Sequence, residues 1–140
     1  MSLYWVSAGE NLLGVAREVV PASDEPARDA MEQLLLGPTP GELTTWPAIS
    51  TAIPEGTRLL GLSVEDGVAV VDLSGEFASG DGSFSVIARL AQVTHTLCGV
   101  PGVDAVEFWL DGEPVETFSS EGLILEGPQV PEDFDVPVDA

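Results

Sequence analysis

"IPEGTRLLGLSVEDGVAVVDLSGEF", residues Ile53 to Phe77, holds two apolar runs around one turn. Thr57–Val64 and Val68–Leu73 flank Glu65-Asp66-Gly67. Asp-Gly between alternating apolar residues signals a tight antiparallel hairpin, because both central residues of a type I′ turn need positive φ. A period of two places Leu60, Leu62 and Val64 on one face of the first strand. It places Ala69, Val71 and Leu73 on one face of the second, with Asp72 opposite. Valine on both faces marks the second strand as central in its sheet.

Upstream of the hairpin the chain spends an unusual length on a connection, "LLLGPTPGELTTWPAISTAIPEGTRLL" (Leu34–Leu60). Before it, Ala27, Ala30, Met31, Leu34 and Leu35 recur at helical spacing and form one apolar face. Ser23 and Asp24 offer N-caps, Pro26 suits a first turn, and Gly37-Pro38 ends the helix. Earlier still, Leu3–Ala8 and Leu12–Val20 read as extended segments joined by Gly9-Glu10-Asn11. Downstream, the glycine-rich Ser74–Gly82 leads into a helix over Ser83–Leu97. Val103–Leu110 is the next strand, turned by Asp111-Gly112 into Val115–Phe118. The order β-β-α, long loop, β-β-α-β-β predicts an α+β fold. It is a two-layer α/β sandwich, with two helices on one face of a mixed, mostly antiparallel sheet. A single domain over residues 1–122 is expected, with 123–140, rich in proline and acids, as a C-terminal strap or tail.

The 140 residues carry 24 acids against four arginines and no lysine, a formal net charge of −20. Such a surface repels nucleic acid and anionic lipid, which both require cationic neutralisation of phosphate. The plain reading of the excess is solvation. No apolar run approaches the roughly 20 residues that span a bilayer. MSLYWVSAGE has no basic segment followed by an apolar one, so no signal peptide is visible.

Catalytic and metal chemistry find little to work with. GxGxxG and the P-loop lysine are absent, and Asp81-Gly82 lacks the spacing of a calcium loop. One histidine and one cysteine nearly exclude zinc, and the single cysteine excludes an internal disulfide. His95 and Cys98 lie on neighbouring turns of one helix and are near enough to touch, but a buried inert thiol is the simpler reading. Carboxylate pairs such as Glu65/Asp66 and Asp104/Glu107 arise by chance in so acidic a chain, and Ser74 has no histidine at an interpretable spacing. No catalytic residue, metal or cofactor is expected.

"LLLGPTPGE" (Leu34–Glu42), the quoted hairpin stretch, "LAQVTHTL" (Leu90–Leu97) and "VPGVDAVEFWLDGEPV" (Val100–Val115) together resemble the GerMN domain of sporulation and spore-germination proteins. Their order carries the resemblance: a helix ending in Gly-Pro-Thr, Pro-x-Gly-Thr before an Asp-Gly hairpin, Asp-Leu-Ser-x-x-Phe after it, then a helix with Gln and Thr-x-Thr-Leu. The resemblance implies a shape akin to ring-building modules of bacterial secretion and sporulation machines. It implies an extracytoplasmic place in the cell envelope, often as a lipoprotein, and no established catalytic residue. Members are linked to cell-wall remodelling, so peptidoglycan or another envelope protein is the implied partner. A self-associating ring or scaffold subunit is the alternative, and a wall hydrolase a more distant one. The sequence departs from the best-known members in having one copy rather than two. It also shows no lipid-attachment cysteine, so any native anchor or signal is expected outside it.

A loop as long as 37–58 is uncommon in a compact domain and is often functional. Two readings stand. In one, it is a packed Ω-type loop over a sheet edge or end, with Trp46-Pro47-Ala48-Ile49 laying it on the core. In the other, Thr39, Glu42 and Trp46 form a partner or glycan surface with the turn at Ser74 and Glu76, which the family pattern places at the ends of the central hairpin's strands. Trp5 and Trp109 read as core or sheet-face residues.

Overall fold

A computed structural model describes residues 2–7, 11–16, 25–79, 83–118, 123–125, 127–134, 136 and 138–139. The elements are β1 (Ser2–Val6), β2 (Leu12–Ala16), α1 (Pro26–Leu36), α2 (Pro40–Thr45), β3 (Leu59–Glu65), β4 (Val68–Leu73), α3 (Ser83–Cys98), β5 (Ala105–Leu110), β6 (Glu113–Pro114), β7 (Thr117–Phe118), β8 (Leu123–Ile124) and β9 (Val138–Asp139). Short 3-10 turns lie at Gly75–Ala78 and Pro131–Asp133. The class is the expected one: α+β, with two long helices on mixed, mostly antiparallel strands.

The hairpin forms as its turn dictates. Asp66 and Gly67 have φ of 52° and 81°, and Glu65 pairs with Val68 across them. The φ of Gly67 is what the turn needs glycine for, since the nearest atom to a side chain there is the movable carboxylate of exposed Asp104. β4 lies between β3 and β5, antiparallel to the first and parallel to the second, which makes it the central strand predicted. A parallel pair needs a long crossover, and α3 supplies it.

The alternation in β3 is broken by a bulge between Leu59 and Gly61. The register slips by one residue, so Leu59 pairs with Leu73 and takes the inward place expected for Leu60, which is 45% exposed. Bulges re-aim side chains in this way. Leu62 and Val64 oppose Val71 and Ala69, and Val64 at the strand end is 42% exposed.

α1 buries Ala27, Ala30, Met31 and Leu34, the face read from the spacing. Its N-cap is Glu25, while Ser23 and Asp24 lie outside the described residues. Gly37 closes it at φ 84°, its N–H bonded to Leu34 O. α3 is buried on every side from Ala88 to Thr94, because it packs against α1, β1 and β5 together.

The strands divide into three sheets, in orders β1-β2-β9, β3-β4-β5-β6 and β7-β8, rather than one. Val115–Phe118 was expected as a single strand. Instead Glu113–Pro114 pairs with β5 and Thr117–Phe118 pairs with β8. Pro114 has no N–H for a ladder, and Phe118 turns fully into the core, where its ring lies 5.4 Å from Phe77. Phe77 also stacks at 6.0 Å on Phe108. Beyond this point Gln129 bridges to Val106, Phe134 and Val136 are buried, and β9 pairs parallel with β2.

Candidate functional site

The motif residues turn out to be fasteners. Asp72 accepts a hydrogen bond from the Gly112 N–H, holding the β5–β6 turn. Asp111 accepts from the Gly75 N–H at 3.1 Å. Ser74 is fully buried, and its hydroxyl accepts from the Arg58 N–H at 2.8 Å while its own N–H donates to Arg58 O. Phe77 fills the aromatic core. Arg89 of α3, buried and carrying a guanidinium whose pKa is lowered by desolvation, donates from Nη1 to Phe77 O and Ser79 O at 2.8 and 2.6 Å. Asp-Leu-Ser-x-x-Phe thus locks one turn to a helix and to a neighbouring strand.

The helix motif fastens the other side. Gln92 is fully buried, and its amide donates to Tyr4 O and Thr51 Oγ1 at 3.0 and 3.2 Å. Its Oε1 accepts from the Ala52 N–H at 2.7 Å. Thr96 Oγ1 accepts from the Tyr4 N–H. One amide therefore ties the long connection to α3 and β1, and an antiparallel bridge between Val6 and Ser50 completes the seam.

The connection itself contains α2, where the proline and glycine content predicts a loop. Thr39 is its N-cap. The Thr39 hydroxyl accepts from the Glu42 N–H, and Glu42 Oε1 accepts from the Thr39 N–H, each at 3.1 Å, a capping box. Thr39 and Glu42 are thus engaged with each other. Trp46 follows as the C-cap and is 38% exposed, so it does not lay the loop on the core. Ile49, the last residue of the expected anchor, does that together with Ile53, both buried.

Among the residues that α1, α2 and the α2 C-cap leave in solvent are three large apolar ones. Leu36 is 76% exposed and Leu43 40%, and Leu43 stands three residues before Trp46, on the same side of a helical turn. The sequence held a signal for Leu36, which falls outside the α1 face that Leu34 and Leu35 continue. Beside this corner a groove of about 310 Å³ is lined by Leu35, Leu36, Gly37, Ile53, Pro54 and Thr57, with Glu55 and Thr51 adding polar atoms.

Of the five residues singled out from sequence, Trp46 is exposed as a surface role needs, and Thr39 and Glu42 shape α2. Ser74 is inside the fold and contributes no surface, because its hydroxyl faces the Arg58 backbone. Glu76 is half-buried and packs toward Gly56, so the structure joins the Ser74–Glu76 turn to the Pro54–Arg58 turn.

His95 and Cys98 lie in the last turn of α3. His95 lies against the Tyr4 ring at 5.1 Å, and burial lowers its pKa although Glu132 opposes the shift. Burial, then Glu132 and Asp104, pushes the Cys98 thiol up to about 11, so at neutral pH it is protonated and weakly nucleophilic. Among the described residues, no three His, Cys, Asp or Glu side chains gather to hold a metal. No described helix is long and apolar enough to cross a membrane.

Residues 2–116 match the family model for Germane, described as sporulation and spore germination. The chain belongs to the Germane family. The fold agrees with that of solved GerMN domains. The first GerMN domain of the sporulation protein GerM from Bacillus subtilis superposes with a TM-score of 0.74 at 21% identity, over 94% of this chain and 97% of that one. The tandem GerMN domains of the same protein give 0.72 at 18% identity over 94% of this chain, which spans 46% of the tandem. A candidate lipoprotein from Clostridium perfringens gives 0.68 at 20% identity, over 96% of this chain and 88% of that one. No curated protein shows a significant sequence match. The Germane motifs of this chain therefore have an architectural account.

Proposed function

We propose that this Germane domain is a noncatalytic binding or assembly module of the bacterial cell envelope, acting outside the cytoplasmic membrane on peptidoglycan or another envelope protein. The observation that carries the reading is the exposed set Leu36, Leu43 and Trp46, the last two in and just after a helix held by a capping box. Exposed large apolar side chains favour recognition over solvation, and an indole stacks equally on sugar rings and protein side chains. Family membership and the candidate lipoprotein among its structural neighbours support the location. The net charge weighs against nucleic acid and anionic lipid as direct partners. The protonated Cys98 weighs against a thiol enzyme.

Fractionation of cells producing the full-length protein tests the location. The protein is expected with the envelope and open to protease in protoplasts, and a cytoplasmic, protease-protected protein would refute that part. Leu43→Ala with Trp46→Ala tests the surface. Co-sedimentation with purified peptidoglycan and pull-down of envelope proteins should both be compared with the parent. Loss of capture with a melting temperature within a few degrees supports the reading, since surface changes usually cost under about 0.5 kcal/mol. Unchanged capture of both overturns it.

A further inference from the structure

We propose that the edge of β3 that no described strand pairs is a strand-addition site for an extended, basic segment of a partner protein. The site is separate from the α1–α2 corner and does not rest on the envelope reading.

The argument starts from the turn. In a two-residue hairpin the flanking pair, here Glu65 and Val68, exchanges both hydrogen bonds. Bonded and non-bonded pairs then alternate. Ser63 with Val70 is bonded, whereas Val64 with Ala69 and Leu62 with Val71 are not. The N–H and C=O of Leu62 and Val64 therefore point away from β4. β3 is the terminal strand of its sheet, and no described backbone group bonds these atoms from the other side. Two donors and two acceptors stand in a row at strand spacing, the arrangement an added strand completes.

The same two residues aim their side chains toward a place for the partner's side chains. Leu62 and Val64 line a pocket of about 290 Å³ with Pro26 and Ala27 of α1 and Val100 and Val103 of the loop after α3. A strand beside β3 would lay alternate side chains over this apolar floor, which gives specificity where the backbone bonds give affinity. Val64 is 42% exposed without such a cover.

Charge selects the occupant. The turn end of the site carries Glu65, Asp66 and Asp104, all exposed, with Asp104 close against Gly67. Glu25 lines the pocket. Arg58, exposed, precedes β3 at the opposite end. A segment with apolar residues at alternate positions and lysine or arginine nearest the turn is complementary to that gradient. A second copy of this chain is not, because it brings its own net charge of −20 to the contact. The bulge at Leu59/Gly61 limits the free run to a few residues, which also restrains edge-to-edge pairing of copies.

The probe is an acetylated, amidated hexapeptide of alternating lysine and valine, titrated into the isotopically labelled protein at low and physiological salt. Amide shifts are expected at Leu62, Ser63, Val64 and Glu65. The outward amides of Leu62 and Val64 should exchange rapidly with solvent in the free protein and slow on binding. Ser63, inside the ladder, should be protected throughout. The same peptide with its alternate amides N-methylated on the edge-facing side should bind at least about tenfold more weakly, since it loses the donors. Because that control leaves the protein untouched, misfolding cannot imitate it. Equal binding of the methylated peptide, shifts confined elsewhere, no binding of either, or concentration-dependent self-association through β3 would each overturn the proposal. Any of these would leave the location and the Trp46 surface standing.

Discussion

Gln92→Ala tests how the long connection is held. The native amide makes three hydrogen bonds, to Tyr4 O, Thr51 Oγ1 and the Ala52 N–H. Net contributions of about 1 kcal/mol each give roughly 3 kcal/mol. Tyr4 and Ala52 are only part-buried, so water can satisfy some of what is lost, and the range is about 2–4 kcal/mol. For a domain of this size that corresponds to a fall in melting temperature of roughly 10 °C. Urea titration should show an earlier midpoint with little change in slope, since the same surface is exposed on unfolding. Gln92→Met, close in volume but without the bonds, separates hydrogen bonding from packing and should recover only a minor part. Hydrogen exchange gives the local signature: the Val6 and Ser50 amides, which bond each other's carbonyls, should lose more protection than Val71 in the central strand. A Gln92→Ala midpoint equal to the parent within about 0.5 kcal/mol, with Ser50 still protected, would refute the clamp.

Thr94 is buried with a hydroxyl that has no hydrogen-bond partner among the described residues, so Thr94→Val should raise stability by about 1 kcal/mol, read as a higher urea midpoint. Cys98, with its pKa pushed from 9.0 to about 11, should alkylate with iodoacetamide about a hundredfold more slowly than an unperturbed thiol at pH 8, and the rate should still be rising at pH 10. A plateau between pH 8 and 9 would contradict the shift. His95 has a folded pKa below its ordinary value of 6.5, so the unfolded chain binds the proton more readily. Its penalty is absent above about pH 6.5 and grows as pH falls below it, so the stability of the parent relative to His95→Gln should decline from pH 7 to pH 5.5. A flat difference would count against it.

Local chemistry was readable without coordinates wherever one rule dominated. Asp66-Gly67 specified its turn because almost no other pair tolerates two positive φ values in succession. The α1 face followed from spacing, and the centrality of β4 from valine on both its sides. Three things were not readable. The bulge at Leu59/Gly61 adds one residue to β3 and reverses the inward side of Leu59 and Leu60, which a period of two cannot anticipate. The helix α2 lies inside a stretch whose proline and glycine read as loop, although Thr39 and Glu42 can be read there as capping residues. The roles of Ser74, Gln92 and Arg89 depend on partners far along the chain: Arg58 for Ser74, Tyr4 and Ala52 for Gln92, Phe77 and Ser79 for Arg89. A polar residue in a motif looks the same in sequence whether it faces a ligand or the protein's own backbone. Only the tertiary structure decides between them, because it sets which unpaired backbone groups the fold leaves for that side chain to satisfy.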